Sequence, residues 1–441
     1  MKALTFFGGI HPAYNKERTA SLKIEDIEAP DEIIIPVSQH IGAPSTPCVA
    51  KGDPVLMGQL IAASSGFVSA NIHSSVSGTV KAIEPRPGQM GVDVLSIIIE
   101  NDHQYTQAEF KPVENWETAE PKELVNKINE CGIVGMGGAT FPSHVKLSPP
   151  PSKPIGTVIL NGAECEPYLT SDHRVMVEYP QKVVSGLKII LKILGAKTGI
   201  IGIEENKPDA ITAIEKECKG TEIKVIPLQV KYPQGGEKQL ISAILNKEVP
   251  SGGLPMDVGV VVQNTGTAMA VFDAVTFGKP LFERVVTVTG SAVKKPGNFN
   301  IKIGTPVSTI LEICEADTEN MGKLVFGGPM MGFAQHNNEP SVIKGTSGIL
   351  ALDKKTSKIE EPLPCIRCGR CVTACPMNLL PAQLGAFSDN NMFDETEKLD
   401  AMDCMECGSC AHECPSQIPL VQKIRLAKSQ IILKHKKEQG K

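Results

Sequence analysis

Two four-cysteine runs of identical spacing sit in the last quarter of this chain, and they constrain it more than any other feature. Cys365, Cys368, Cys371 and Cys375, followed by Pro376, form the first; Cys404, Cys407, Cys410 and Cys414, followed by Pro415, form the second. The spacing C-x2-C-x2-C-x3-C-P is a ligand run for paired iron–sulfur clusters. Three thiolates at steps of three residues can wrap one corner of a cubic cluster. The fourth, directed away by the proline, reaches the other cluster. With that crossing, one [4Fe-4S] cluster takes Cys365, Cys368, Cys371 and Cys414. The other takes Cys404, Cys407, Cys410 and Cys375.

Other uses of these eight cysteines fit poorly. Disulfides need an oxidising compartment, and the sequence offers no route to one. Zinc prefers isolated C-x2-C pairs, and a third cysteine three residues on has no role there. The remaining cysteines, Cys48, Cys131, Cys165, Cys218 and Cys314, are scattered and read as small buried hydrophobes. Cys165 lies between Glu164 and Glu166, whose charges would raise its pKa, the wrong direction for a reactive thiolate. It reads as structural.

The chain has 441 residues, of which 41% are hydrophobic and 21% charged, enough for several domains of ordinary size. Its net charge of −5 gives no global basic field. Aromatic residues are only 4%, with Trp116 the single tryptophan, so base-stacking platforms are not expected. Both facts argue against nucleic acid as a partner. Met1 to Ile10 holds one lysine and an apolar run broken by Gly8 and Gly9, unlike a signal peptide. No stretch approaches the roughly 20 apolar residues that span a bilayer. The expectation is a reducing cytoplasm and a soluble or peripheral protein.

Composition shifts divide the chain into four. Residues 1–115 read as a β barrel or sandwich, with apolar stretches Glu32–Val37, Val55–Ala62 and Leu95–Glu100 between Gly, Pro, Ser and Asn clusters. His73–Lys81 resembles the hairpin of lipoyl and biotinyl carriers, but no lysine sits convincingly at an exposed turn. Residues 116–280 alternate strand and helix, which predicts a largely parallel sheet covered on both faces. Strands are expected over Gly156–Leu160, Gly199–Ile203, Glu222–Ile226 and Asp257–Val262. Helices are expected over Glu123–Cys131, Pro180–Ala196 and Thr267–Phe277. Ligands in such sheets bind beyond the carboxyl ends of strands, here the loops Asn161–Pro167 and Gln263–Thr267. Residues 281–340 read as a small β-grasp unit and a Gly/Pro/Asn-rich linker from Gly327. Residues 341–441 hold the cysteine runs in a helical ferredoxin-like domain. Its tail carries Lys434-His-Lys-Lys437, a run that either touches an anionic surface or is simply solvated.

Gly135-Met-Gly-Gly-Ala-Thr-Phe-Pro142 is a glycine loop whose successive N–H groups can cradle an anion. It is not a strict G-x-G-x-x-G, because Thr140 holds the sixth position. Lys146 follows, placed to neutralise phosphate. Together with Asn161-Gly-Ala-Glu-Cys-Glu-Pro167 and Asn264, this resembles the flavoprotein subunit that oxidises NADH in respiratory complex I. That family carries a G-x-G-G-A-G-F-P loop, a following lysine, an N-A-D-E-S-E-P segment and a later asparagine pair. The resemblance implies an α/β domain that binds FMN and NAD(H). It implies Gly135, Gly137, Gly138, Lys146, Asn161 and Asn264 as FMN contacts. Glu164, Glu166 and Glu237 become candidates to contact the flavin or the nicotinamide nucleotide. The chain departs from the pattern at Met136, where relatives often have arginine, at Ala163 and at Gln263.

The full order narrows this further. An N-terminal β domain with Gly8-Gly-Ile-His-Pro12 and Gln39-His-Ile-Gly-Ala-Pro44 precedes the FMN-like domain, a soluble-ligand-binding β-grasp unit and the twin cysteine runs. Over essentially the whole chain, that order resembles the RnfC component of the Rnf electron-transport complex, an ion-translocating ferredoxin:NAD oxidoreductase. The resemblance implies a peripheral subunit on the cytoplasmic side of the cell membrane. It would exchange hydride with NAD(H) through FMN and pass single electrons through two [4Fe-4S] clusters. Its partners would be the integral membrane and iron–sulfur subunits of the complex, with ferredoxin reached indirectly. Hydride transfer to a flavin needs no side-chain acid or base, so no catalytic residue is expected. Two other readings share these parts. A flavin and iron–sulfur cobalamin reductase has its glycine loop near the N-terminus, whereas here about 130 residues precede it. A non-catalytic electron wire that has lost its flavin would explain Met136, Ala163 and Gln263.

Overall fold

The structure is a computed structural model and describes residues 3–439. The N-terminal β unit pairs Glu32–Pro36, Asp93–Asn101, Gly78–Pro87 and Pro54–Val55 into one antiparallel sheet, faced by a small three-stranded sheet. Alternation explains its core: Ile33 and Ile35 point inward opposite Ile99 and Ile97 and are fully buried. Lys81, at the carrier-like hairpin, pairs with Glu32 on the adjoining strand system rather than standing free at a turn.

The α/β domain is built on four parallel strands in the order Lys224–Leu228, Thr198–Glu204, Thr157–Gly162, Val260–Asn264. Hydrophobic runs such as Thr198–Glu204 are buried on both faces, as a covered parallel sheet requires. Helices Pro180–Leu194 and Thr265–Phe277 pack closely on one face. Gly186 permits this, because a Cβ there would lie 1.9 Å from the Ala268 carbonyl oxygen. The strand order reverses direction between Thr157–Gly162 and Val260–Asn264. At that switch point Asn161 and Asn264 are register partners at the carboxyl ends. Sheets of this kind bind ligands in such a crevice.

Two segments lie outside the units expected for them. The boundary expected near 341 moves, because Gly348–Asp353 is an inner strand of a six-stranded sheet, pairing with Glu283–Thr289 and Met321–Phe326. That sheet also contains Gly297–Lys302 and Phe333–Gln335, the latter within the expected linker. Near the N-terminus, Ile24–Asp26 pairs in parallel with Gly297–Lys302, and Leu4 bridges to Leu228 at the edge of the α/β sheet. The first residues therefore thread two later units before the β domain begins. The C-terminal unit is helical, with Leu384, Ile424 and Ile431 buried in its core. Its basic tail folds back: Lys434 reaches Asp394 at 2.7 Å and His435 reaches Glu397 at 2.6 Å. Cys131, Cys165, Cys218 and Cys314 are buried as expected, whereas Cys48 is exposed.

Lys344 fastens three of these units. Its fully buried ammonium donates to the carbonyls of Asn71 at 2.6 Å and Gly132 at 2.7 Å. Its own N–H donates to Gln39 Oε1, and its carbonyl accepts from Arg284. Burial pushes its pKa down from 10.5 to about 7. Between those values the unfolded chain holds a proton that the folded chain has shed, so this group makes stability rise with pH across that window. Lys344→Met would orphan two buried carbonyls and should cost about 2–3 kcal/mol. It should also flatten the rise in stability from neutral to mildly alkaline pH, as measured by chemical unfolding. An unchanged pH slope would show that this lysine is not the titrating group.

Candidate functional site

A cleft of ≈ 430 Å³ opens at the switch point of the parallel sheet, within the usual size range for cofactor sites. Gly135, Gly137, Gly138, Lys146, Asn161, Glu164, Glu166, Glu237 and Asn264 all line it. The structure thus brings together every cofactor residue expected from the sequence.

The glycine loop forms one wall. A Cβ at Gly137 would lie 2.9 Å from Asn264 Cβ, so only glycine fits between loop and strand end. Thr140 adopts φ +53°, the left-handed conformation that favours glycine. The substitution therefore keeps the backbone path that a glycine would take. Met136 is buried, and its N–H donates to Thr267 Oγ1 at 2.9 Å. No basic group stands at that position.

The strand ends form the floor. Asn161 Nδ2 donates to the Gly235 carbonyl at 2.8 Å, and its Oδ1 accepts from the Ala163 N–H at 3.1 Å. Asn264 caps the following helix, accepting from the Thr267 N–H, while its Nδ2 donates to Asp172 Oδ2 at 2.6 Å. The Glu164 carboxylate accepts from Ser171 Oγ and from the N–H groups of Asp172 and His173. It closes the first turn of helix Ser171–Glu178. Glu166 accepts from the N–H groups of Met330 and Met331 at 3.0 and 2.9 Å, tying the cleft to the six-stranded sheet unit. Burial pushes its pKa up to about 7, against the lowering effect of those two N–H groups. Lys146 and Glu237 form an ion pair at 2.7 Å, both partly exposed. An exposed pair of this kind is weak enough for an anionic ligand to compete for the lysine. Cys165 is buried, and burial first, then Glu204 and Glu166, pushes its thiol pKa far up.

The wall residues suit a flavin. Gln263, the last of the three departures, lines the cleft and its buried Nε2 has no hydrogen-bond partner among the described residues. A donor left so inside a protein is costly unless a ligand satisfies it. Glycine backbone, a lysine and an orphan amide donor together match a phosphate attached to a polar ring system.

The cysteine runs lie beside this cleft. Cys375, Cys404, Cys407 and Cys410 surround a small cavity. Cys375 is near enough to the other three for its charge to raise their pKa values. Cys414 stands in the same relation to Cys371, as does Cys368. Among the described residues, no three Cys, His or acidic side chains converge on one point to hold a single ion. A cubane does not require that, because each thiolate binds a different iron. Cys365 and Cys368 are exposed, whereas Cys407 and Cys410 are buried, Cys407 packing beside Tyr232.

Two contacts that the sequence did not signal join cleft and clusters. Met405, between Cys404 and Cys407, lines the cleft itself. Tyr232 also lines it and donates its hydroxyl to the Cys407 carbonyl at 2.7 Å. The Gly235-Gly236 pair just after Tyr232 was the available hint of a tight approach: a Cβ on Gly236 would lie 2.9 Å from Met405 Cε.

Comparison with known proteins agrees with these parts. The RnfC barrel sandwich hybrid domain matches residues 4–104, and the Nuo51 FMN-binding domain matches 128–273. The SLBB domain matches 285–334 and the 4Fe-4S dicluster domain 364–418. Among solved structures, NAD+-reducing [NiFe]-hydrogenase in the H2-reduced state aligns with a TM-score of 0.50 at 16% identity, covering 73% of this chain and 65% of the other, a likeness of fold alone. The RnfC-type component of the Na(+)-translocating ferredoxin:NAD(+) oxidoreductase complex of Acetobacterium woodii is 48% identical over 435 residues, 98% of each chain. The proton-translocating counterpart of Clostridium ljungdahlii is 49% identical over 428 residues, 97% of this chain and 94% of the relative. With a flavin-type cleft, a dicluster domain and near full-length identity of this order, the chain belongs to the RnfC family of ion-translocating ferredoxin:NAD oxidoreductase complexes.

Proposed function

We propose that this chain is the peripheral electron-transfer subunit through which NAD(H) exchanges electrons with a membrane-bound ferredoxin:NAD oxidoreductase. The observation that carries the reading is one contact: Met405, from inside the second cysteine run, forms part of the wall of the cofactor cleft. A two-electron site and a one-electron site are thereby adjacent.

The residues divide the work. Gly135, Gly137, Gly138 and Lys146 hold the phosphate end of FMN, and Asn161, Gln263 and Asn264 face its ring. When bound, FMN supplies the conversion between hydride and single electrons. Glu166 and Glu237 border the space left for the nicotinamide nucleotide. Cys404, Cys407, Cys410 and Cys375 hold the cluster next to the cleft. Cys365, Cys368, Cys371 and Cys414 hold the outer one, and the exposure of Cys365 and Cys368 puts it within reach of a redox partner. No helix among the described residues is long and apolar enough to cross a membrane. Ion translocation therefore belongs to integral membrane partners, on whose cytoplasmic face this subunit docks. Ferredoxin is reached through those partners.

Anaerobic NADH added to protein loaded with FMN and iron–sulfur clusters should bleach flavin and cluster absorption together. If neither bleaches, the NAD(H) role is wrong. The crossing of ligands is tested separately. Cys414→Ser should remove the low-temperature paramagnetic signal of the outer cluster and leave that of the cluster beside the cleft. Loss of the inner signal alone would reverse the assignment.

A further inference from the structure

Forming NADH within this reading requires a proton as well as electrons. Electrons arrive from the clusters singly and without protons. The balance is NAD+ + 2 e− + H+ → NADH, so one proton must reach the cleft for each nucleotide reduced. With a nucleotide occupying the cleft, a route through the protein wall would supply that proton.

One wall of the cleft has the parts of such a route. Asp172 and Met136 separate the cleft from a second cavity of ≈ 60 Å³ and line both. That cavity is bordered by Ser171, Asp273, Lys279, Glu283, Arg284 and Asn300. Its walls are mixed, with Ile133, Val175, Met269 and Leu281 beside those polar groups, and the polar groups give the few waters such a space can hold their hydrogen-bond partners. Two of its liners, the paired Lys279 and Glu283, have side chains 31% and 15% exposed and lead toward solvent. Asp172 itself has Oδ2 held by Asn264 Nδ2 at 2.6 Å, which fixes the carboxylate across the wall. Its backbone N–H is held by Glu164, the neighbouring acid on the cleft side.

The groups around Asp172 place it at neutrality. Burial raises its pKa first, and the Glu164 charge raises it further. The Asn264 hydrogen bond, Arg284 on the adjoining strand and Lys16 on the N-terminal segment lower it. The outcome is about 7. On the same helix His173 is engaged with Asp209 at 2.8 Å, and Asp273 on the packed helix is engaged with Lys182, so neither competes directly.

We propose that Asp172, with the cavity behind it, is the proton relay of the nucleotide cleft. An excess proton from bulk water, passed along the waters of the cavity, protonates the Asp172 carboxylate. Asp172 then releases that proton into the cleft, where with two electrons it becomes the hydrogen carried on the reduced nicotinamide ring, and the ionised carboxylate is recharged from the cavity. It ends each cycle as it began, and the cavity refills its proton from bulk water past Lys279 and Glu283.

The test uses the fully loaded protein and separates proton supply from hydride transfer. Hydride exchange between NADH and an oxidised nicotinamide analogue consumes no proton. Reduction of NAD+ by a one-electron chemical donor consumes one. In Asp172→Asn, NAD+ reduction should fall by about 100-fold or more, while hydride exchange and bound FMN stay at wild-type level. Asp172→Glu should restore much of the loss. Independently of turnover, infrared difference spectra across neutral pH should show a carboxyl band in the wild type that Asp172→Asn lacks. Equal loss of both reactions would overturn the proposal, since Asp172 would then hold cofactor or nucleotide. Undiminished NAD+ reduction, or an unchanged infrared band, would overturn it too. Absence of hydride exchange in the wild type would instead sink the nucleotide-site reading on which the relay rests.

Discussion

Everything this chain does depends on holding the second cysteine run against the cleft. The hydrogen bond from Tyr232 to the Cys407 carbonyl is a central contact that does so, with Met405 beside it. Tyr232 is fully buried and reached from its other side by the N-terminal segment, whose Ile10 exchanges both backbone hydrogen bonds with it. That segment squeezes between the domains. A Cβ on Gly8 would lie 2.7 Å from the Cys375 carbonyl oxygen, and one on Gly9 would lie 2.5 Å from that of Tyr232. Both residues have positive φ. The Gly8-Gly9 pair is therefore a spacer that only glycine can supply. It lets one thin strand touch a cluster ligand and a cleft residue at once.

That arrangement explains why the sequence revealed some parts and hid others. Cysteine spacing is local, and so are the alternation of Ile33 and Ile35 and the apolar face of Pro180–Leu194. Each can be read from a short window because the cluster, the pleat or the helix imposes its own period. The glycine loop was equally legible, and Thr140 shows why a strict motif is too narrow a test: the backbone accepts the left-handed turn at a threonine. What escaped was long-range. Ile24–Asp26 pairs with Gly297–Lys302, and Gly348–Asp353 completes a sheet begun at Glu283. No local pattern states a strand's partner. Tyr232, Met405 and Asp172 were missed for the same reason, since each acquires its role from a neighbour far along the chain.

Burial also sets the electrostatic character of the cleft. Glu164, Glu166 and Asp172 gather there, and their counter-charges are few and buried themselves. Lys16 donates to the carbonyls of Glu164 and Leu169 rather than to a carboxylate, and burial lowers its pKa. Deeper in, Lys207 pairs with Glu204 at 2.5 Å with both fully enclosed. Full ionisation of every acid would crowd like charges in a low-dielectric space, where their repulsion is strong. Holding protons on some of them near neutrality is the lower-energy state. Burial is the first cause that takes both Glu166 and Asp172 to about 7, and only Asp172 is raised further by a neighbouring carboxylate, that of Glu164.

The two acids then differ in what their surroundings allow. Glu166 is fixed by the N–H groups of Met330 and Met331, so its carboxylate serves as a clamp between the α/β domain and the six-stranded sheet unit. Asp172 has one oxygen tied to Asn264 and lines a cavity bordered by the partly exposed Lys279 and Glu283. A clamp must keep its place in either protonation state. A relay must be able to lose and regain a proton without moving its partners. The same strand end that makes Asn264 a register partner of Asn161 also orients Asp172. The switch point of the sheet thus positions both the wall of the cleft and the acid behind it.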